Sequence, residues 1–195
     1  MKIAVIDNYD SFTYNLVHLL EDIESTEVSV YRNDQIQVED LKGYDLIVLS
    51  PGPGIPDEAG DLKKIIDYYV GKKPIFGVCL GLQAIVEVFG GKILNLDKVF
   101  HGVATPMHTV INDSVIFDGL PQTFDAARYH SWVADKNTFP EELEITAEDE
   151  SGQIMAIRHK KYPIHAVQFH PESILTPSGK NQLVNLVKHY EGSIK

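Results

Sequence analysis

The chain contains a single cysteine, Cys79, and its neighbours make it a candidate nucleophile. Gly77-Val78-Cys79-Leu80-Gly81 has the form G-x-C-x-G. That is the thiol counterpart of the G-x-S-x-G elbow, in which a sharp strand-to-helix turn lifts the nucleophile out of a sheet. Glycine on either side lets the backbone pack closely at such a turn. A thiol at the start of a helix also sits at the positive end of the helix dipole, which favours the reactive thiolate. Free cysteines are nonetheless commonly buried and inert, and on these residues alone the catalytic and the inert readings stand level.

A thiol nucleophile needs a base within hydrogen-bond reach, and the base needs a third group to orient it. Of eight histidines, His18, His108, His159, His165 and His189 fall in helix or strand contexts that suit surface or packing roles. His101 and His130, in expected loops before Gly102 and Ser131, stay open. His170 follows the apolar run Ile164–Phe169 and precedes Pro171, so it belongs at a strand terminus, where open α/β sheets place their ligands. Glu172, two residues on, can reach back to the ring through a local turn. Cys79, His170 and Glu172 make a workable triad of nucleophile, proton carrier and orienter, with a polar turn leaving a strand as the competing reading. Attack on an amide leaves a negative oxygen that needs preorganised donors. The Leu80 N–H and the loop Gly52-Pro53-Gly54 are the candidates, and that loop is no phosphate loop, because G-x-x-x-x-G-K-[ST] is absent.

Regular elements must hold these groups. Lys2–Asp7, Asp45–Leu49, Pro74–Val78 and Ile164–Phe169 read as buried strands, and Glu27–Arg32 as an alternating one. Between them, Phe12, Leu16, Leu19, Leu20 and Ile23 recur at helical spacing with Asp10 or Ser11 as cap. A second helix uses Leu62, Ile65, Ile66, Tyr69 and Val70, and Leu80–Phe89 has helical character. Strand and helix alternate through the first half, which predicts an α/β fold with a mainly parallel sheet flanked by helices. Lys92–Leu96, Val103–Ile111, Ser114–Phe117, Ala126–Trp132, Glu144–Ala147 and Gln153–Arg158 are short strand-like runs that predict a small mixed or antiparallel extension, and Gly179–Tyr190 closes the chain as an amphipathic helix. No internal repeat or linker breaks the sequence, so a single domain over 1–195 is expected.

Lys and Arg number 17 against 28 Asp and Glu, a formal net charge of −11. That argues against nucleic-acid binding, which relies on basic residues to neutralise phosphates. One cysteine cannot form an internal disulfide, and no apolar run is long enough to span a membrane. A cytoplasmic enzyme or enzyme subunit is the expectation.

Three segments together resemble the class I (triad) glutamine amidotransferases: Ser50-Pro51-Gly52-Pro53-Gly54, Gly77-Val78-Cys79-Leu80-Gly81-Leu82-Gln83-Ala84 and Gln168-Phe169-His170-Pro171-Glu172-Ser173. The likeness runs the length of the chain, through Ile6-Asp7-Asn8-Tyr9-Asp10-Ser11-Phe12, Tyr31-Arg32-Asn33, His101-Gly102 and Arg128-Tyr129-His130-Ser131. It is similar to one branch, the glutaminase subunits of anthranilate synthase and of aminodeoxychorismate synthase. The resemblance implies a flavodoxin-like fold and a triad of Cys79, His170 and Glu172. It implies glutamine binding by Gly52, Pro53, Gly54, Leu80, Gln83, Ser131 and Trp132, with the Gly54 and Leu80 backbone as oxyanion hole. It also implies no metal or organic cofactor in this subunit. The implied partner is a chorismate-binding synthase large subunit, component I of either enzyme, in a heteromer. Tyr31-Arg32-Asn33, residues 54–60 and Ala84-Ile85-Val86-Glu87 look closer to the anthranilate (tryptophan) branch than to the aminodeoxychorismate (folate) branch. Two positions depart from the family pattern: Leu82 stands where a histidine is usual, and Val103 where a lysine is common.

Two readings of other classes compete with this one. A cysteine hydrolase of peptides could share the elbow, but it does not account for Gly52–Gly54 together with Gln83. A non-catalytic binding subunit would be expected to lack part of Cys79, His170 and Glu172, and all three are present.

Overall fold

Uninterrupted apolar runs can be buried only in a sheet covered on both faces. The computed structural model describes residues 1–192. It runs β1 (Lys2–Asp7), α1 (Thr13–Glu21), β2 (Glu27–Arg32), β3 (Leu46–Leu49), α2 (Leu62–Tyr69), β4 (Ile75–Val78), α3 (Leu80–Val88), β5 (Ile93–Asn95), β6 (Val103–Thr109), β7 (Thr123–Arg128), β8 (Trp132–Ala134), β9 (Leu143–Asp149), β10 (Ile154–His159), β11 (Ile164–Val167) and α4 (Gly179–Glu191). The last three positions of the expected domain, 193–195, lie outside the described residues.

Nine strands form one sheet in the order β2-β1-β3-β4-β11-β10-β9-β6-β7. The first five are mutually parallel, and from β10 onward every pairing is antiparallel. The expected antiparallel extension is thus continuous with the main sheet, while β5 and β8 pair separately.

Side chains of the parallel strands alternate between two layers. Ile3, Val5, Leu46, Val48, Phe76, Val78 and Val167 join one apolar cluster with Leu16 and Leu20 of α1 and Leu183 and Leu186 of α4. Ala4, Ile6, Ile47, Leu49, Ile75 and Ala166 join the other, with Ile65 and Ile66 of α2 and Ile85 of α3. Each buried Val, Leu or Ile contributes about 1.5–3 kcal/mol, so slipping any strand by one residue, which exchanges its faces, is strongly disfavoured.

The observed elements depart from the sequence reading at four places. Ser114–Phe117 is no strand: Val115–Phe117 forms a single 3-10 turn, with the consecutive Ile116 and Phe117 both buried where a strand would alternate. Asn185 of α4 fastens that turn by donating from Nδ2 to the Asp118 carbonyl at 2.8 Å. The run Ala126–Trp132 is split, with β7 ending at Arg128 and β8 starting at Trp132 in the other sheet. Strand β11 stops at Val167, although Gln168 and His170 still pair their N–H groups with Met155 and Ala127 carbonyls. Neither Asp10 nor Ser11 is the residue that caps α1. Phe12 occupies that position, and the Asp10 carboxylate accepts the Phe12 N–H at 2.8 Å.

The start of α4 abuts the His170-Pro171-Glu172 segment so closely that a Cβ at Gly179 would collide with the Pro171 carbonyl. Neither group is a flexible side chain, so Gly179→Ala must push helix and segment apart. We expect it to destabilise the fold by about 1–3 kcal/mol in urea unfolding. An unchanged midpoint would mean that α4 can retreat without cost.

Candidate active site

Strand β4 is buried throughout and ends at Val78. The next residue, Cys79, has φ 52° and ψ −100°, a sparsely populated region for a residue with a Cβ, and Leu80 then opens α3. Such a conformation costs on the order of 1–3 kcal/mol and persists only where the surroundings enforce it. Here they do. A Cβ on Gly77 would lie 2.7 Å from the Gly81 backbone, and one on Gly81 would lie 2.9 Å from Leu49. Strand and helix therefore cross at a spacing that only glycine allows, and the thiol is set at the C-terminal edge of the sheet.

The parallel register Val78↔Val167 brings the end of β11 alongside, and the Cys79 N–H donates to the Val167 carbonyl at 2.8 Å. Beyond it, His170 is buried, with Nδ1 2.6 Å from Oε1 of Glu172. The rings of Tyr129 and Phe12 stand edge-on to His170, with centroids at 4.9 and 5.8 Å. Burial disfavours the imidazolium, but Cys79 and Glu172 outweigh it and hold the His170 pKa well above the ordinary 6.5. Its Nε2 has no hydrogen-bond partner among the described residues. Cys79 and His170 are thus electrostatic neighbours without being hydrogen-bonded, and the sulfur instead accepts from Gln168 Nε2 at 3.3 Å.

The glycine loop after β3 is clamped by Asn8 at the end of β1. The Asn8 N–H donates to Ser50 Oγ at 2.8 Å, and Asn8 Nδ2 donates to the Ser50 carbonyl at 2.8 Å. Gly52 packs against Asn8 and Leu80 with no room for a Cβ, and Gly54 has φ +70°.

A cavity of about 190 Å³ opens on the thiol, lined by Gly52, Pro53, Gly54, Cys79, Gln83, Tyr129, His130, Ser131 and Trp132. It is smaller than sites for drug-sized ligands, roughly 300–1,000 Å³, and suits a single amino acid better than a peptide. A larger hollow of about 440 Å³ beside α4 holds neither Cys79 nor His170, and the chemistry points to the smaller one. Gly52, Pro53, Gly54, Gln83, Ser131 and Trp132 lie where the sequence reading placed them. The Leu80 side chain is buried in the core, so only its backbone, in the first turn of α3, is available to the site. Leu82 is wholly buried in the same cluster and does not line the cavity. Here the departure from the family pattern is a matter of packing.

Of the two histidines left open, His101 is exposed beside Tyr129, and His130 is buried in the cavity wall. Arg128, also buried, explains its state. Arg128 Nη1 pairs with Asp149 at 2.7 Å, Nη2 donates to Gln153 at 2.7 Å, and Nε donates to His130 Nε2 at 3.1 Å. Burial opposes the Asp149 charge, but the Gln153 backbone, Ser151 and Arg128 outweigh it and lower its pKa. Burial first, then Arg128, push the His130 pKa down to about 3, so His130 is neutral with its proton on Nδ1, donating to the Trp132 carbonyl at 3.0 Å. The residue analysis singled out none of Asn8, Arg128, Tyr129 or Gln168 as functional, although all four lie within the segments that carry the family resemblance. Among the described residues no group of three His, Cys, Asp or Glu could hold a metal ion, and no helix is long and apolar enough to cross a membrane.

Comparison with known proteins adds an independent line. The family model for glutamine amidotransferase class-I matches residues 4–190. The chain is 44% identical to the aminodeoxychorismate/anthranilate synthase component 2 of Bacillus subtilis, over 98% of each protein. It is 43% identical to the bifunctional protein TrpGD of Thermotoga maritima, aligning along all of this chain but only 33% of that protein's length. Other relatives carry the name anthranilate synthase component 2. Among solved structures, a putative GMP synthase subunit from Thermoplasma acidophilum superposes with a TM-score of 0.88 at 28% identity, covering 99% of this chain and 95% of that one.

The two buried histidines act oppositely on stability. His130, lowered to about 3, contributes fully above pH 6.5, and that contribution is lost as pH falls from 6.5 toward 3, at about 1.4 kcal/mol per pH unit. His170, raised, contributes fully below 6.5, and its contribution is lost as pH rises through its folded value. In ¹⁵N-resolved spectra at pH 5 we expect a neutral Nδ1–H ring for His130 and an imidazolium for His170. An imidazolium at His130 would contradict the Arg128 geometry.

Proposed function

The chain belongs to the class-I glutamine amidotransferase family, and from that premise we propose that it is the glutaminase subunit of an anthranilate synthase, releasing ammonia from glutamine for a chorismate-using partner subunit. The observation that carries this reading is the thiol at a strained elbow, next to the buried His170–Glu172 pair, opening on a cavity sized for one amino acid.

In this mechanism the proton of Cys79 passes to His170, and the sulfur attacks the side-chain amide carbon of glutamine. The tetrahedral oxygen is met by backbone N–H groups of Gly54 and Leu80, donors that are preorganised and need no rearrangement. His170 returns a proton to the departing nitrogen, the C–N bond breaks, and ammonia leaves behind a thioester on Cys79. His170 then takes a proton from water, hydroxide displaces the sulfur, and glutamate departs. The sum is glutamine plus water giving glutamate plus ammonia, which calls for no cofactor in this subunit. Glu172 keeps Nδ1 of His170 protonated, leaving Nε2 to move the protons. Gln83, Ser131 and Trp132 hold the α-amino and carboxylate end of the substrate.

The chain spans nearly all of the Bacillus component 2. On this reading the acceptor is bound by another polypeptide, or by an attached domain in a fused homologue. The anthranilate branch is favoured by Tyr31-Arg32-Asn33, by residues 54–60 and by the names of several relatives. Because the Bacillus relative's name covers both branches, supply of ammonia for aminodeoxychorismate is the second reading.

Cys79→Ser should abolish glutamine-dependent synthesis, by roughly 10⁴-fold or more, while ammonia-dependent synthesis by the assembled complex survives. Retained glutamine use would remove Cys79 as nucleophile. Capturing the chain with its native partner and supplying glutamine and chorismate decides the branch: anthranilate supports the proposal, and aminodeoxychorismate alone replaces it with the second reading.

A further inference from the structure

The mechanism above leaves one buried polar side chain at the sulfur without a role. Gln168 has no exposed surface, and its Nε2 donates to Cys79 Sγ at 3.3 Å. His170 Nε2, which must exchange a proton with the same sulfur, has no hydrogen-bond partner among the described residues. In this state the sulfur is held by the amide and not by the base.

Oxygen and nitrogen of an amide have nearly the same shape, so which of them faces the sulfur must be argued from the network. The Trp132 carbonyl can only accept. It takes one hydrogen bond from His130 Nδ1 at 3.0 Å and another from Gln83 Nε2 at 3.0 Å. Gln83 therefore turns its NH₂ group toward Trp132, and the same nitrogen reaches Gln168 Oε1 at 3.2 Å. Turning the Gln168 amide over would set NH₂ against NH₂ at Gln83 and oxygen against sulfur at Cys79. Both contacts would be lost in a buried site where unpaired polar groups are costly. The His130 end is fixed as well, because Arg128 can only donate to its Nε2. A chain of amides anchored on a backbone carbonyl thus aims an N–H group at the nucleophile.

We propose that Gln168 belongs to the catalytic machinery: its Nε2–H group fixes Cys79 Sγ and stabilises the negative charge left on sulfur when the proton passes to His170, while Gln83 keeps that donor turned inward. A donor aimed at an anion favours the charged form. Gln83 has a second task on this view, since it lines the cavity and also orients Gln168. The effect on turnover rests on the glutaminase reading. The effect on the sulfur does not.

Because Cys79 is the chain's only cysteine, iodoacetamide reports on it alone. Alkylation rates are measured from about pH 5 to 10 for the wild type, Gln168→Leu and Gln168→Met, each checked for folding by circular dichroism. We expect the profile of both variants to move to higher pH by about one to two units. In the assembled complex, glutamine-dependent kcat should fall roughly ten- to hundredfold with KM little changed. A folded variant with an unshifted alkylation profile overturns the proposal. Should neither variant fold, the wild type still decides: the ¹⁵N signal of the Gln168 side-chain amide must titrate with the alkylation midpoint, and a signal that stays put overturns the proposal. A wild type that turns over no glutamine, yet shows the shifted profiles in its variants, refutes the glutaminase reading and leaves Gln168 as the thiol's partner.

Discussion

The site depends on the parallel pairing of β4 with β11. Two four-residue strands, Ile75–Val78 and Ile164–Val167, lie side by side in register. Parallel pairing brings their C-terminal ends to the same edge, the edge at which open α/β sheets bind ligands. Nucleophile and base therefore emerge next to each other, although Cys79 and Gln168 are 89 residues apart in the chain. The register is held by alternation: Phe76, Val78 and Val167 face one apolar layer, and Ile75 and Ala166 the other. The same alternation fixes which residues beyond the strand ends turn toward the cavity.

Bringing ionisable groups to this buried edge creates an electrostatic problem, and the molecule answers it in two opposite ways. His170 is paired with a buried carboxylate and a thiol, and its charged form is favoured in spite of burial. His130, near the same cavity, faces a guanidinium, and its neutral form is favoured. Environments that push the protonation of like groups apart assign their tasks. One ring moves protons; the other serves as a fixed donor to the Trp132 carbonyl. Arg128 remains charged inside the protein because Asp149, Gln153 and the Phe100 ring face, 3.5 Å away, surround it.

The first half of the fold was readable because its signals are local and strong. Apolar runs such as Leu46–Leu49 alternate with helical spacing such as that of Leu62, Ile65, Ile66 and Tyr69. The second half was read less well where burial overrode pattern. The run Ala126–Trp132 looks continuous, yet the chain leaves the sheet after Arg128 so that Tyr129, His130 and Ser131 can line the cavity. Ser114–Phe117 has strand-like residues, but docking on α4 turns it into a single tight turn.

The sequence by itself determined the groups whose work is dictated by their neighbours in the chain. Gly77 and Gly81 around Cys79 specify an elbow, and Glu172 lies two residues from His170, within reach of its ring. Such relations span a few bonds, and short-range sterics suffice to impose them. Only the tertiary structure decided that Asn8 clamps the glycine loop, that Arg128 keeps His130 neutral and that Gln168 meets the sulfur. Each of these arrangements depends on elements far apart in sequence, and its geometry is a by-product of strand order and register. Nothing local distinguishes a buried glutamine that points at a thiol from one that fills space.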